Sequence, residues 1–154
     1  MQQLCERQGL SAGSFGSLEY HAPPLIHRLV GRPAHEGMEP GYARLCMQYL
    51  MAVTLLRGTV TLADFSREAL DDSDVLALAR RITVINDGNP DLAAFVPARA
   101  VARTTDGQEL TQAVVAQLGS PEWPLTEQQH SAKVLGCLES VSYTHLTLPT
   151  IYSV

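Results

Sequence analysis

Tyr42-Ala-Arg-Leu-Cys-Met-Gln-Tyr-Leu-Met-Ala-Val-Thr-Leu-Leu-Arg57 is the stretch whose periodicity decides how the chain is read. Tyr42, Leu45, Cys46, Tyr49, Leu50, Val53 and Leu56 recur at three- and four-residue spacing, the signature of a helix with one face in a core. Met51, Ala52 and Leu55 widen that stripe, so one helix over 42–57 is expected to be buried on most sides. Gly58 follows as a left-handed stop.

Toward the amino terminus, Arg32 to Gly41 holds two prolines and two glycines and reads as an exposed, mobile loop. Leu25 to Val30 reads as an extended apolar run. Ser17-Leu-Glu-Tyr-His21 alternates as a strand does, and Pro23-Pro24 stops it from continuing regularly.

Toward the carboxy terminus, Thr61-x-x-Asp64 is a capping box with aspartate in the usual glutamate place, opening a short helix through Phe65. Asp71, Asp72 and Asp74 gather charge at the start of a second helix, Ser73 to Arg80, and read as its capping group. Ile82 to Ile85 is a strand, followed by a turn cluster at 86–90. Ala98 to Thr104 and Glu109 to Ala116 are two strands joined by a tight Asp106-Gly107 turn. Thr126-x-x-Gln129 is a second capping box, opening a helix from Glu127 to Glu139. This order gives an α+β fold: a mainly antiparallel sheet with helices packed on one side.

At 154 residues, 45% hydrophobic and 18% charged, the chain is the size of one folded domain or a piece of a larger one. A net charge of -5 and the lack of a basic stripe argue against a nucleic-acid partner. The longest apolar stretch, Leu45 to Leu56, is too short to span a bilayer, and no signal-peptide pattern opens the chain. Neither a membrane nor a secretory route is expected. Cys5, Cys46 and Cys137 lack metal-ligand spacing and are odd in number, which suits reduced thiols in the cytoplasm.

The two ends differ in character from the middle. Residues 1–16 read as the tail of a preceding helix and a linker. From Val141 to Val154 charge and helical period vanish, and the stretch resembles the conceptual translation of a transposon-end sequencing adaptor. It is expected to lie outside the domain, which is taken as 17–140, with both true termini missing.

Familiar catalytic signatures are absent: there is no phosphate-cradling glycine loop, no nucleophile elbow and no Cys-x-x-Cys pair. His21, His27 and His35, spaced by six and eight, share no helix or strand face, so no metal is expected. Tyr49 on a buried helix must find a hydroxyl partner, either as plain core or as a functional group. Arg44, five residues away, need not point with it. His130 and Lys133, one turn apart, could present two nitrogens to an anion, but they read rather as part of a solvated polar face.

Three stretches stand out together: 21–33 (HAPPLIHRLVGRP), the run 42–65 around Gln48-Tyr49, and 119–125 (GSPEWPL) with Ala132-Lys133. In order and spacing they resemble the carboxy-terminal half of the MmgE/PrpD family, which includes 2-methylcitrate dehydratase and cis-aconitate decarboxylase. The resemblance covers nearly all of 17–140. It implies an α+β lid that closes on a larger helical domain in a cofactor-independent lyase for small di- or tricarboxylic acids, and homodimers are common among the intact members. Most reacting groups of such enzymes belong to the helical domain, so this chain alone is expected to be inactive. From the lid, the resemblance implies Tyr49 as a catalytic group, by substrate contact or proton transfer, and Arg44 as a substrate-binding one. Lys133 matches a common family lysine, but Val134 replaces the aromatic that often follows. A free-standing binding module with the lid fold, or an isomerase or epimerase relative, are the competing readings.

Overall fold

The computed structural model describes residues 12–140. The reading of residues 1–16, as far as residue 11, and that of Val141 to Val154 lie outside those residues. The chain forms two compact units that divide after Gln117.

In the first unit, strand β1 (Phe15–Ala22) runs into helix α1 (Pro24–Val30). A short α2 (Pro40–Ala43) precedes α3 (Met47–Arg57), then a 3-10 turn (Leu62–Phe65), α4 (Arg67–Leu70) and α5 (Ser73–Ala79). Strands β2 (Ile82–Asn86), β3 (Ala98–Thr104) and β4 (Glu109–Val114) complete it. The sheet order is β2-β1-β3-β4. β1 is antiparallel to β3 and β3 to β4, while β1 and β2 run parallel. The α+β expectation therefore holds, with one parallel pair in a mainly antiparallel sheet. That pair needs a crossover, and the helical segment between Ala22 and Ile82 supplies it.

Alternation along the strands sorts the faces. Leu18, Ala22, Ile82, Val84, Ala98, Ala100 and Ala102 are buried. Leu18, Ile82 and Ala102 share one core with Tyr49, Ala52, Val53, Leu70, Val75 and Ala79 of the helices. Glu19, His21, Arg99 and Arg103 alternate with the core positions and lie on the opposite face.

Three sequence expectations are corrected here. Leu25 to Val30 is a helix, not an extended run: Pro24 opens it, and the His27 and Gly31 amides close turns on the Pro23 and His27 carbonyls at 2.9 and 2.8 Å. Proline is well suited to a first turn, where its missing N–H costs nothing.

The helix expected over 42–57 is two pieces. Cys46 is extended, with φ -106° and ψ 98°. It forms a bridge with Gly31 and donates its thiol to the Arg32 carbonyl at 3.3 Å. A contact to a distant backbone has replaced one turn of helix. Within α3, Tyr49, Met51, Ala52 and Val53 are buried, whereas Leu56 is exposed, so burial covers less of the helix than its composition suggests.

The stretch 32–41 is not simply exposed. Met38 is buried at 1% exposure. The Ala34 amide donates to Gln48 Oε1 at 2.8 Å, the Gly37 amide to Asp71 Oδ1 at 3.0 Å, and the Tyr42 hydroxyl to the Pro33 carbonyl at 2.8 Å.

The local signals hold closely. Thr61 and Asp64 make the reciprocal capping box, and Asp72 Oδ1 accepts from the Asp74 and Val75 amides at the head of α5. Gly58 ends α3 at φ 83°, and Gly107 turns the β3–β4 hairpin at φ 88°.

The second unit contains a turn bridged between Ser120 and Trp123 and the helix α6 (Glu127–Ser140). Its capping box is formed, with the Gln129 amide on Thr126 Oγ1 at 3.2 Å and the Thr126 amide on Gln129 Oε1 at 3.0 Å. Val134, Leu135 and Leu138 are exposed on it. Among the described residues, no helix is long and apolar enough to cross a membrane.

Candidate functional site

Tyr49 sits in the first turn of α3 with no exposed surface. Its hydroxyl donates toward two backbone carbonyls, Asp64 at 2.5 Å and Ala69 at 3.1 Å. A phenol has one proton, so those two acceptors share it. Burial, and next the negative charge of Asp64, push its pKa up. The hydroxyl therefore stays protonated and turned inward.

Arg44 is exposed in the turn after α2. Its guanidinium carbon lies 5.5 Å from the centroid of Phe65. The Tyr49 ring meets the same Phe65 at 6.4 Å, tilted by 49°. Two residues that a continuous helix would not align are thus brought onto one phenylalanine by the break at Cys46. No carboxylate among the described residues pairs with Arg44. A guanidinium held over a ring keeps its in-plane N–H fork for a planar partner, which is the geometry carboxylates accept.

Beneath this platform lies an ion-paired knot. Arg57 donates to Asp64 Oδ1 through Nη1 and to Asp72 Oδ2 through Nη2, the latter at 2.7 Å. Asp64 Oδ2 accepts from the Thr61 amide at 2.6 Å and from its hydroxyl at 2.8 Å. Burial pushes the Asp64 pKa up, but the Thr61 donors and Arg57 outweigh it, and the net shift is downward. Asp72 shifts down likewise: burial opposes, while the Val75 and Asp74 amides and Arg57 prevail.

A second stack lies on Tyr42. The Arg32 guanidinium is 5.0 Å from its ring centroid, and His35 meets it edge-on at 4.9 Å. Sequence reasoning missed this trio, since its members meet only because 31–39 folds back on Cys46 and Gln48.

The three amino-terminal histidines are not gathered. His21 lies in β1, His27 lies in α1 and His35 is on Tyr42. Among the described residues no group of three side chains is placed to hold a metal ion. His130 and Lys133 are both exposed on α6. Of the Asp71, Asp72 and Asp74 group, Asp72 caps α5, whereas Asp71 accepts from the Gly37 amide.

The family model described as MmgE/PrpD C-terminal domain matches residues 1–145. The chain belongs to the MmgE/PrpD family, through that domain. No curated protein matches the chain.

Proposed function

We propose that this chain is the lid of a cofactor-independent lyase acting on small di- or tricarboxylic acids, and that it is inactive without a helical partner domain. Family membership supports this class, and one observation carries the reading to residues: Arg44 lies exposed over Phe65 with no carboxylate partner among the described residues.

Removing a proton α to a carboxylate requires a base, an acid for the leaving group, and cations that hold the carboxylates as charge develops. Arg44 is suited to the last role. Tyr49 could carry a proton only by leaving the carbonyls of Asp64 and Ala69. Its part in the reaction is therefore to fix the 64–69 segment, with Phe65 in it, so that the Arg44 platform is rigid.

The test is to combine the chain with the helical domain of a family member and follow dehydration of 2-methylcitrate. Arg44→Gln should raise KM by roughly thirtyfold, the equivalent of about 2 kcal/mol for a charge-assisted hydrogen bond. An Arg44→Gln protein with unchanged KM and kcat would remove Arg44 from the site. Turnover by the chain alone would contradict the lid reading.

A further inference from the structure

The face of the sheet turned away from the helices carries a line of charges. Arg103 lies 3.7 Å from Glu19 through Nη1 and 3.1 Å from Glu109 through Nε, and His21 Nε2 lies 3.2 Å from Glu19 Oε2. Arg99 lies on the same face and has no carboxylate partner among the described residues. It stands opposite His21 in the β1–β3 register and opposite Ala113 in the β3–β4 register. An arginine facing a histidine across a strand pair is an unfavourable arrangement whenever the histidine is protonated.

His21, Arg99 and Ala113 border a cleft of about 430 Å³ at the end of the sheet, together with Asn86, Asp87 and Pro97. The Asp87 backbone is pinned by its amide, which donates to the Ala22 carbonyl at 3.0 Å. Asp87 Oδ1 accepts from the Asn89 amide at 2.8 Å. Its other carboxylate oxygen has no partner among the described residues. The cleft thus brings together a guanidinium and a carboxylate oxygen that have no ionic or hydrogen-bond partner among the described residues, an imidazole, and the small apolar surfaces of Pro97 and Ala113.

We propose that this cleft binds a small carboxylate monoanion with a hydrogen-bond donor next to the carboxylate, as in a short-chain hydroxy acid or amino acid. The planar fork of Arg99 fits a carboxylate edge to edge. The hydroxyl or ammonium of the ligand meets the free oxygen of Asp87. Phosphate as a dianion is disfavoured, because Asp87 offsets the charge of Arg99 that it would need. Pro97 and Ala113 leave room for a short aliphatic chain. A cleft of this volume is near the lower end of small-molecule sites. The proposal uses none of Arg44, Phe65 or Tyr49, so it stands or falls separately from the lyase reading.

The experiment is an amide-shift NMR titration of the full 154-residue chain with lactate, alanine, acetate and inorganic phosphate. Lactate or alanine should shift the amides of Ala98, Arg99 and Ala113 saturably, and the tighter of the two tells a hydroxy acid from an amino acid. Acetate should bind at least fivefold more weakly, and phosphate no more tightly than acetate. Arg99→Gln should weaken binding tenfold or more, and Arg99→Lys, which keeps the charge but not the fork, by less. Asp87→Asn should abolish the preference for lactate over acetate. Absence of saturable shifts at these three amides overturns the proposal. So does phosphate binding more tightly than lactate, or an affinity indifferent to Arg99→Gln. If Arg99→Gln fails to fold, Asp87→Asn decides: an unchanged preference for lactate over acetate rejects the site.

Discussion

The hydroxyl of Tyr49 lies 2.5 Å from the backbone carbonyl of Asp64, fifteen residues further along the chain. This bond, with its companion to Ala69, ties the first turn of α3 to the segment that carries Phe65. The residue that the family resemblance marks as catalytic is therefore held as a strut of the fold. Tyr49→Phe keeps the ring and leaves two inward carbonyls short of a donor. The expected cost is about 1–3 kcal/mol of unfolding free energy, read from the midpoint of a urea transition at constant slope. A Tyr49→Phe chain as stable as the parent would mean that the hydroxyl is not a strut, and would return it to a direct role with substrate.

What could be read without coordinates was local. The Thr61–Asp64 and Thr126–Gln129 boxes involve partners three residues apart, and both formed. The Asp106-Gly107 turn needs only its own backbone preference. What could not be read depended on distant partners. Cys46 is extended because Gly31 and Arg32 reach it, and nothing between 42 and 57 records that. In 23–30 the two prolines suggested interruption, although Leu25, Ile26, Leu29 and Val30 also suit a helix face. The candidate site shows the same division: Arg44 and Tyr49 were visible singly, but their shared contact with Phe65 was not.

Stability should fall in acid through the Arg57–Asp64–Asp72 knot. Both carboxyl pKa values are depressed in the folded chain. Their contribution is therefore fully present above the unfolded value of about 4 and is lost as pH drops through the folded values. Asp64→Asn should flatten the decline of unfolding free energy below about pH 4 and lower stability at pH 7 by about 1.5–3 kcal/mol, the range for hydrogen bonds to a charged group. A variant with the parent's acid profile would show that Asp64 is not the group responsible.

The β3–β4 hairpin depends on one backbone conformation. Gly107 sits at φ 88°, and a Cβ there meets nothing within 4 Å. Any loss on substitution is therefore conformational, not steric crowding by neighbours. Gly107→Ala should cost about 1–2 kcal/mol. Gly41→Ala, also in open space but without a positive φ, should cost less than half as much. Equal losses in paired thermal melts would contradict the assignment.

Leu135 is 58% exposed on α6, with Val134 at 43% and Leu138 at 37%. Positions 134, 135 and 138 fall on one side of a helix, so the three form a contiguous apolar strip facing solvent. A strip of this kind should bind an environment-sensitive dye and promote self-association of the chain. Leu135→Lys with Leu138→Glu should at least halve the dye signal and shift sedimentation toward the monomer. Both positions are exposed, so the melting transition should move little, by the equivalent of about 0.5 kcal/mol or less. A parent chain that is monodisperse and takes up no dye would show the strip to be harmless in solution. A double variant that loses its cooperative melt would show instead that the strip is part of the fold.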